Sequence, residues 1–335
     1  MLPKPTVKEV IGMGFKLLIL HPGPQAGGQP VDEWPGLLRR AIPDIEVSVR
    51  YSPAEAMDDI ETADAAFGDI VPELFERAKK LRWIACPQAG PTAGYYHQAL
   101  IESEVVVTNT REIYNDHIGA HVMSFVLAFA RGLHRYIPQQ AQGQWRPGQP
   151  TVHLPDSTAV IVGVGGIGGE VARLCSEFGM TVIGVDPRRV SAPPGVAELR
   201  IPDDLNEVLP RGDFVIVTVP ETPQTQRMFG SDQFRRMKDT AFFINIGRGS
   251  TVILDDLVTA LNTSEIAGAG LDVFEIEPLP DGHPLWTAQN VLITPHVAGL
   301  GPYVGDRRSE LFLDNCVRFN TGRPLRNVVN KAHWY

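Results

Sequence analysis

Only three cysteines occur in the 335 residues, Cys86, Cys175 and Cys316, an odd and scattered set without C-x-x-C spacing. Such a set favours buried thiols over a disulfide framework or metal ligands, and no metal is expected. Two of the three sit in apolar runs, which points to buried thiols in a reducing compartment. Long hydrophobic runs are also lacking: no apolar stretch reaches the roughly 20 residues that cross a bilayer, and no basic head precedes an apolar core at the N-terminus. Positive charge is in deficit, since 30 Lys and Arg against 39 Asp and Glu leave a net charge of −9. That balance argues against nucleic acid or an anionic membrane as partner. There is no internal repeat and no low-complexity tract. The expectation is a soluble, cytoplasmic chain. With 43% apolar residues, its length suits two domains, each with its own core.

The most informative pattern present is Gly163-Val-Gly165-Gly-Ile-Gly168. G-x-G-x-x-G alone is a weak signal. Here the flanks agree with it: Ala159–Val162 is a short apolar, β-branched run, Val171, Leu174, Cys175 and Phe178 recur at helical spacing over 170–178, and a second strand, Thr181–Val185, ends at Asp186. Strand, glycine turn, helix, strand and acid form the first βαβ unit of a dinucleotide-binding domain; a merely tight βα turn in another α/β protein is the alternative. Gly163 permits the turn, Gly165 admits the pyrophosphate to the backbone, and Gly168 lets helix and strand approach, while the helix N-terminus faces the phosphates. Asp186 would accept hydrogen bonds from the adenosine ribose hydroxyls, which favours NAD; Arg188 and Arg189 just beyond it leave NADP open.

Some 150 residues precede this fingerprint, enough for a separate domain that holds a substrate. Strands are expected over Phe15–Leu20, Ile45–Val49, Ala63–Phe67, Trp83–Ala85 and Val105–Thr108, with a Gly/Pro-rich loop over His21–Pro30 and a helix over Pro72–Lys80. A long apolar helix is expected over Ile113–Tyr136, suited to an interdomain position or a dimer contact, followed by a Gln-, Gly- and Pro-rich loop over Pro138–Pro155. Later strands are expected over Phe214–Thr218, Ala241–Ile246, Ala269–Leu271 and Val291–Thr294, and a last helix over Ser309–Asn320. The fold class is α/β: two Rossmann-like domains with parallel sheets and a cleft between them.

Three polar residues follow strands of the second half, where open α/β sheets carry their active sites: Arg248, Glu277 and His296. The trio suits reduction of a 2-oxo acid. An arginine offers a planar fork to a carboxylate and polarises a keto oxygen, a histidine supplies the proton for the new hydroxyl, and a carboxylate paired with that histidine raises its pKa. Hydride comes from nicotinamide. Singly, each has a blander reading, as a turn arginine, a solvated loop carboxylate and a strand cap.

Phe243-Ile-Asn-Ile-Gly-Arg-Gly249, Leu271-Asp-Val-Phe-Glu-Ile-Glu-Pro-Leu-Pro280, His283-Pro-Leu-Trp286 and Thr294-Pro-His-Val-Ala-Gly299 resemble the signature blocks of the D-isomer-specific 2-hydroxyacid dehydrogenase family, from about Asp64 onward. The resemblance implies an NAD-dependent D-2-hydroxyacid dehydrogenase working as a 2-oxo acid reductase, with Arg248, Glu277 and His296 as catalytic triad. It implies that Asp272 contacts the nicotinamide carboxamide and that Gln88, Ala89 and Gly90 offer backbone N–H groups to the substrate carboxylate, beside Arg248 and His296. The cofactor-binding set is then Gly163, Gly165, Gly166, Ile167 and Gly168; Asp186 and Arg188; Val219, Pro220 and Thr225; and Ile246, Gly247, Arg248, Asp272 and His296. A discontinuous substrate domain, 1–112 with 302–335, around an NAD-binding domain, 113–301, is implied, as is a homodimer formed through the latter; Asn327-Val-Val329 fits the family's closing segment.

Two positions depart from the family pattern: Ala120 stands where an acid usually precedes the histidine, here His121, and Pro91 in Gln88-Ala-Gly-Pro-Thr92 removes a backbone donor. The pocket for the substrate side chain draws on loops around 66–70, 88–96 and 300–303. Gly68 and Asp69 there do not announce a phosphate site, and Tyr95, Tyr96 and Trp286 are either pocket walls or packing. An alternative is an NAD(H)-sensing, corepressor-like binding module of the same family, which a partner-docking extension would favour and which the chain's end near Tyr335 does not. Formate or phosphonate oxidation is a third reading, and Glu277 speaks against formate, since formate oxidisers carry glutamine there.

Overall fold

Strands that are buried on both faces need apolar side chains at every position, and most strands of this chain are short unbroken apolar runs. The computed structural model describes residues 12, 14–21, 31–90 and 94–334. The chain divides into two compact units, Met1–Ile113 with Pro302–Tyr335, and Tyr114–Gly301.

The first unit holds β1 (Lys16–Leu20), β2 (Glu46–Arg50), β3 (Ala65–Phe67), β4 (Trp83–Ala85) and β5 (Val106–Thr108), all parallel, in the order β2-β1-β3-β4-β5. Alternate residues feed opposite cores: Leu18, Ala66, Ile84 and Val107 on one side, Leu17, Ile19, Phe67 and Trp83 on the other. The helix Val304–Asn320 supplies Phe312 to the second core, its ring 4.5 Å from Trp34 and 5.0 Å from Phe67. Val329 N–H then donates to Val107 C=O, so the closing segment lies against β5. Residues 22–30 of the expected Gly/Pro-rich loop lie outside the described residues.

The second unit holds β6 (Thr158–Val162), β7 (Thr181–Val185), β8 (Glu198–Arg200), β9 (Phe214–Val217), β10 (Phe242–Asn245), β11 (Gly268–Leu271) and β12 (Val291–Ile293), parallel, in the order β12-β11-β10-β9-β6-β7-β8. Val160 and Val162 enter the core under helix Leu254–Asn262; Ala159 and Ile161 enter the core under helices Asn115–Ala130 and Gly166–Glu177. Phe129 and Phe214 both stack with Phe242, with centroids 4.5 and 5.6 Å away.

Several boundaries differ from expectation. The single helix over Ile113–Tyr136 is two helices, Asn115–Ala130 and Leu133–Ala141, because Gly132 takes a left-handed conformation, φ +70°, and ends the first. Its apolar face is spent on the core of its own unit: Val122, Phe125, Val126 and Phe129 are buried there. The expected loop over Pro138–Pro155 accordingly begins as helix, with Pro138 inside Leu133–Ala141. The fingerprint helix starts at Gly166, four residues early, since its first turn is glycine and carries no apolar periodicity to read. Helix Val304–Asn320 likewise opens with a polar turn, and β8 is a half-buried Glu-Leu-Arg triplet without an apolar run.

Candidate active site

Three adjacent strands, β10, β11 and β12, end side by side, so with about 4.8 Å between neighbours their C-terminal loops emerge within roughly 10 Å of one another. Arg248 follows β10, Asp272 and Glu277 follow β11, and His296 follows β12.

The turn bearing Arg248 is fixed from inside the strand. Asn245, 1% exposed, accepts from Gly247 N–H through Oδ1 (3.0 Å) and donates through Nδ2 to the Arg248 carbonyl (3.1 Å), which also accepts the Thr251 hydroxyl (2.6 Å). A polar residue closing the apolar run Phe242–Asn245 was the signal for this anchor, and pattern reading passed over it. Glu277 and His296 form a direct pair, Oε2 to Nδ1 at 2.6 Å. The other Glu277 oxygen, Oε1, accepts from Phe274 N–H at 2.8 Å, which fixes the carboxylate. With Nδ1 donating to Glu277, Nε2 is the ring nitrogen left for another partner.

Asp272 is 1% exposed and faces the His296 loop: its carboxylate accepts Val297 N–H, Ala298 N–H and the Thr294 hydroxyl at 2.9, 2.9 and 2.6 Å.

Around the fingerprint, Gly163 is left-handed at φ +92°, and a Cβ on Gly168 would come within 1.9 Å of the Gly163 carbonyl oxygen. Helix and strand therefore meet there only because Gly168 has no side chain. The helix begins at Gly166 with Ile167 next to it, and no acid lies in its first turn, so its N–H groups and dipole face an anion without competition. Asp186 is 2% exposed; Oδ2 accepts from Val164 N–H (3.0 Å) and Oδ1 from Arg188 N–H (2.8 Å). Its carboxylate thus braces the glycine loop. Arg189 donates to the Val164 carbonyl at 3.0 Å, and Arg188 Nη2 lies 3.3 Å from where a Gly165 Cβ would be. On the loop after β9, the Thr225 hydroxyl donates to the Pro220 carbonyl at 2.7 Å, and Val219 and Ile246 are both buried. A Cβ on Gly247 would lie 2.5 Å from the Val219 carbonyl oxygen, so these two loops touch.

In the first unit, the segment after β4 is held by its carbonyls: Pro87 accepts the Thr110 hydroxyl (3.0 Å), Gln88 accepts Thr110 N–H (3.3 Å) and Ala89 accepts Asn109 Nδ2 (2.8 Å). Asn109 and Thr110, which hold those oxygens, are both buried. Pro91 and Thr92 lie outside the described residues. Tyr96 is 3% exposed and packs on Tyr95 and Trp334, whereas Trp286 is 52% exposed with Nε1 on the Pro280 carbonyl.

Residues 123–298 match the NAD binding domain of the D-isomer specific 2-hydroxyacid dehydrogenases. The chain is also 34% identical over 268 residues to a glyoxylate reductase of Korarchaeum cryptofilum, covering 77% of this chain and 79% of that one. It belongs to that family. Among solved structures, it superposes on a D-isomer specific 2-hydroxyacid dehydrogenase of Xanthobacter autotrophicus in complex with NADPH and MES, at TM-score 0.81 and 27% identity, covering 96% of this chain and 100% of that one. The NADPH-dependent glyoxylate/hydroxypyruvate reductase of Sinorhizobium meliloti gives TM-score 0.79 at 27% identity, with coverage of 96% and 100%. This dehydrogenase is an NAD(P)-dependent oxidoreductase acting on CH–OH groups. The cofactor fits what the chain presents, a helix N-terminus without acids and a turn closed to any side chain at Gly168. When bound, its nicotinamide supplies the hydride.

Proposed function

We propose that this dehydrogenase reduces small 2-oxo acids of the glyoxylate and hydroxypyruvate class, with Arg248, Glu277 and His296 as its catalytic residues. The Glu277–His296 pair at 2.6 Å carries the reading. Glu277 holds the His296 ring through Nδ1, His296 Nε2 delivers a proton to the carbonyl oxygen as C2 is reduced, and Arg248 binds the carboxylate and polarises the carbonyl. The names of the glyoxylate and glyoxylate/hydroxypyruvate reductases support the substrate class.

We also propose that NADPH is accepted as well as NADH. Asp186 accepts from Val164 N–H and Arg188 N–H and lies 3.6 Å from the Arg188 guanidinium, and that guanidinium, beside Gly165, suits a 2′-phosphate. The experiment is reduction of glyoxylate, hydroxypyruvate, pyruvate and phenylpyruvate, followed at 340 nm with each cofactor. Turnover of glyoxylate and hydroxypyruvate and a selective loss of NADPH kcat/KM in Arg188→Ala are expected. Turnover of phenylpyruvate alone would refute the substrate class, and an equal loss for both cofactors would refute the role of Arg188.

A cytoplasmic homodimer completes the reading. Leu133, Ile137 and Trp145, 45%, 57% and 95% exposed, offer the cofactor-binding unit apolar surface for a second copy. Light scattering at the monomer mass of 36.7 kDa would exclude the dimer.

A further inference from the structure

His296 has a backbone φ of +55°, the left-handed region, which costs a non-glycine residue about 1–3 kcal/mol unless its surroundings enforce it. His296 N–H reaches the Thr294 carbonyl at 3.1 Å, and the other enforcing bonds all end on one buried residue. Asp272 accepts His296 N–H on its main-chain carbonyl (2.8 Å), Val297 N–H and Ala298 N–H on its carboxylate (2.9 Å each), and the Thr294 hydroxyl on Oδ1 (2.6 Å). Residues on both sides of His296 therefore hang on one side chain.

The network extends to the helix Asn115–Ala130. His121 Nε2 lies 3.0 Å from Thr294 Oγ1 and 3.7 Å from Asp272 Oδ1. A hydroxyl has one proton, and Thr294 gives it to Asp272; toward His121 it can only accept. His121 therefore carries its proton on Nε2. The bonds run in one direction, His121 to Thr294 to Asp272, and end on the carboxylate that holds the loop. His121 itself stands edge-on to Phe125, 4.9 Å away, on a helix whose apolar face is buried in the core.

We propose that Thr294 and His121 are positioning residues for His296, acting through Asp272: they complete the donor set of the buried carboxylate and so fix the loop that aims the His296 imidazole. The proposal rests on the reading of His296 as proton donor. Asp272 has a second assignment, to the nicotinamide, so the test leaves it untouched and varies the two residues behind it. A displacement of about 1 Å at a reacting group costs on the order of a hundredfold in rate, which sets the scale of what the clamp protects.

The test is single-turnover reduction of glyoxylate by NADPH in Thr294→Val, Thr294→Ser, His121→Phe and His296→Asn, with NADPH affinity measured separately by fluorescence. Thr294→Val is expected to slow the reductive step about tenfold or more while NADPH affinity stays within about twofold. Thr294→Ser, which keeps the hydroxyl, should restore the rate; His121→Phe, which keeps the ring contact with Phe125, should slow it by a smaller factor. In the His296→Asn background, Thr294→Val should add nothing, because the residue it positions is gone. An undiminished rate in Thr294→Val, or an equal loss in both backgrounds, would overturn the proposal. If Thr294→Val does not fold, the comparison passes to His121→Phe with the same two criteria. Full activity in His296→Asn would instead remove the proton-donor reading on which the clamp depends, a result separable from failure of Thr294→Val alone.

Discussion

Replacing Glu277 by glutamine changes one atom, and the geometry says what that does. The carboxylate accepts twice, from His296 Nδ1–H at 2.6 Å and from Phe274 N–H at 2.8 Å. A glutamine amide has only one acceptor oxygen. If it keeps the Phe274 bond, its NH2 faces Nδ1, which must then present a lone pair, so the Nδ1–H bond to a carboxylate is lost. If it turns over, Phe274 N–H is left facing an NH2 group. Either arrangement forfeits a charge-assisted hydrogen bond worth about 1.5–3 kcal/mol. The side chains are 49% and 34% exposed, so solvent screening selects the lower part of that range, about 1.5–2 kcal/mol. At about 1.4 kcal/mol per decade, kcat for 2-oxo acid reduction should fall roughly 10- to 30-fold. Steady-state reduction at 340 nm with saturating cofactor measures it, and the solvent deuterium isotope effect should rise as proton delivery becomes more limiting. A kcat within about twofold of the parent, or a loss confined to cofactor KM, would refute the reasoning.

Gly168→Ala puts a Cβ 1.9 Å from the Gly163 carbonyl oxygen, so the glycine turn must open; NADH and NADPH affinity, read by fluorescence titration, should both fall about tenfold or more. Unchanged affinity would show that the turn does not cradle the cofactor. His134 packs edge-on against the rings of Phe129 and Phe242, and burial holds its pKa below the ordinary histidine value. The unfolded chain thus takes up this proton at a higher pH than the folded one does. The stability that neutral His134 provides is full above about pH 6.5 and is lost as pH falls toward the folded value. His134→Phe should flatten the decline of Tm between about pH 6.5 and 5; an unaltered slope would count against it.

The parts legible in the sequence are those decided by local sterics or by burial on two faces. A parallel strand covered on both sides must be apolar throughout, so β6, β7 and β9 stand out as runs, and Gly163, Gly165 and Gly168 declare a turn that side chains would block. Arg248, Glu277 and His296 stand out in the sequence because each is a polar residue past such a run. The break at Gly132 was not: a glycine within a helical pattern ends it only when the chain beyond has somewhere else to go. Asp186 was legible as an acid after a strand, but its burial and its bonds to Val164 and Arg188 N–H depend on how the loops close over it. Thr294 and His121 carry no local signal of their relation. They stand 173 residues apart, and only the packing of helix Asn115–Ala130 beside the end of β12 brings a ring nitrogen within 3.0 Å of a hydroxyl. Sequence specified which groups have the chemistry; tertiary structure decided which of them touch, because hydrogen bonds act over about 3 Å and chain order carries no such distance.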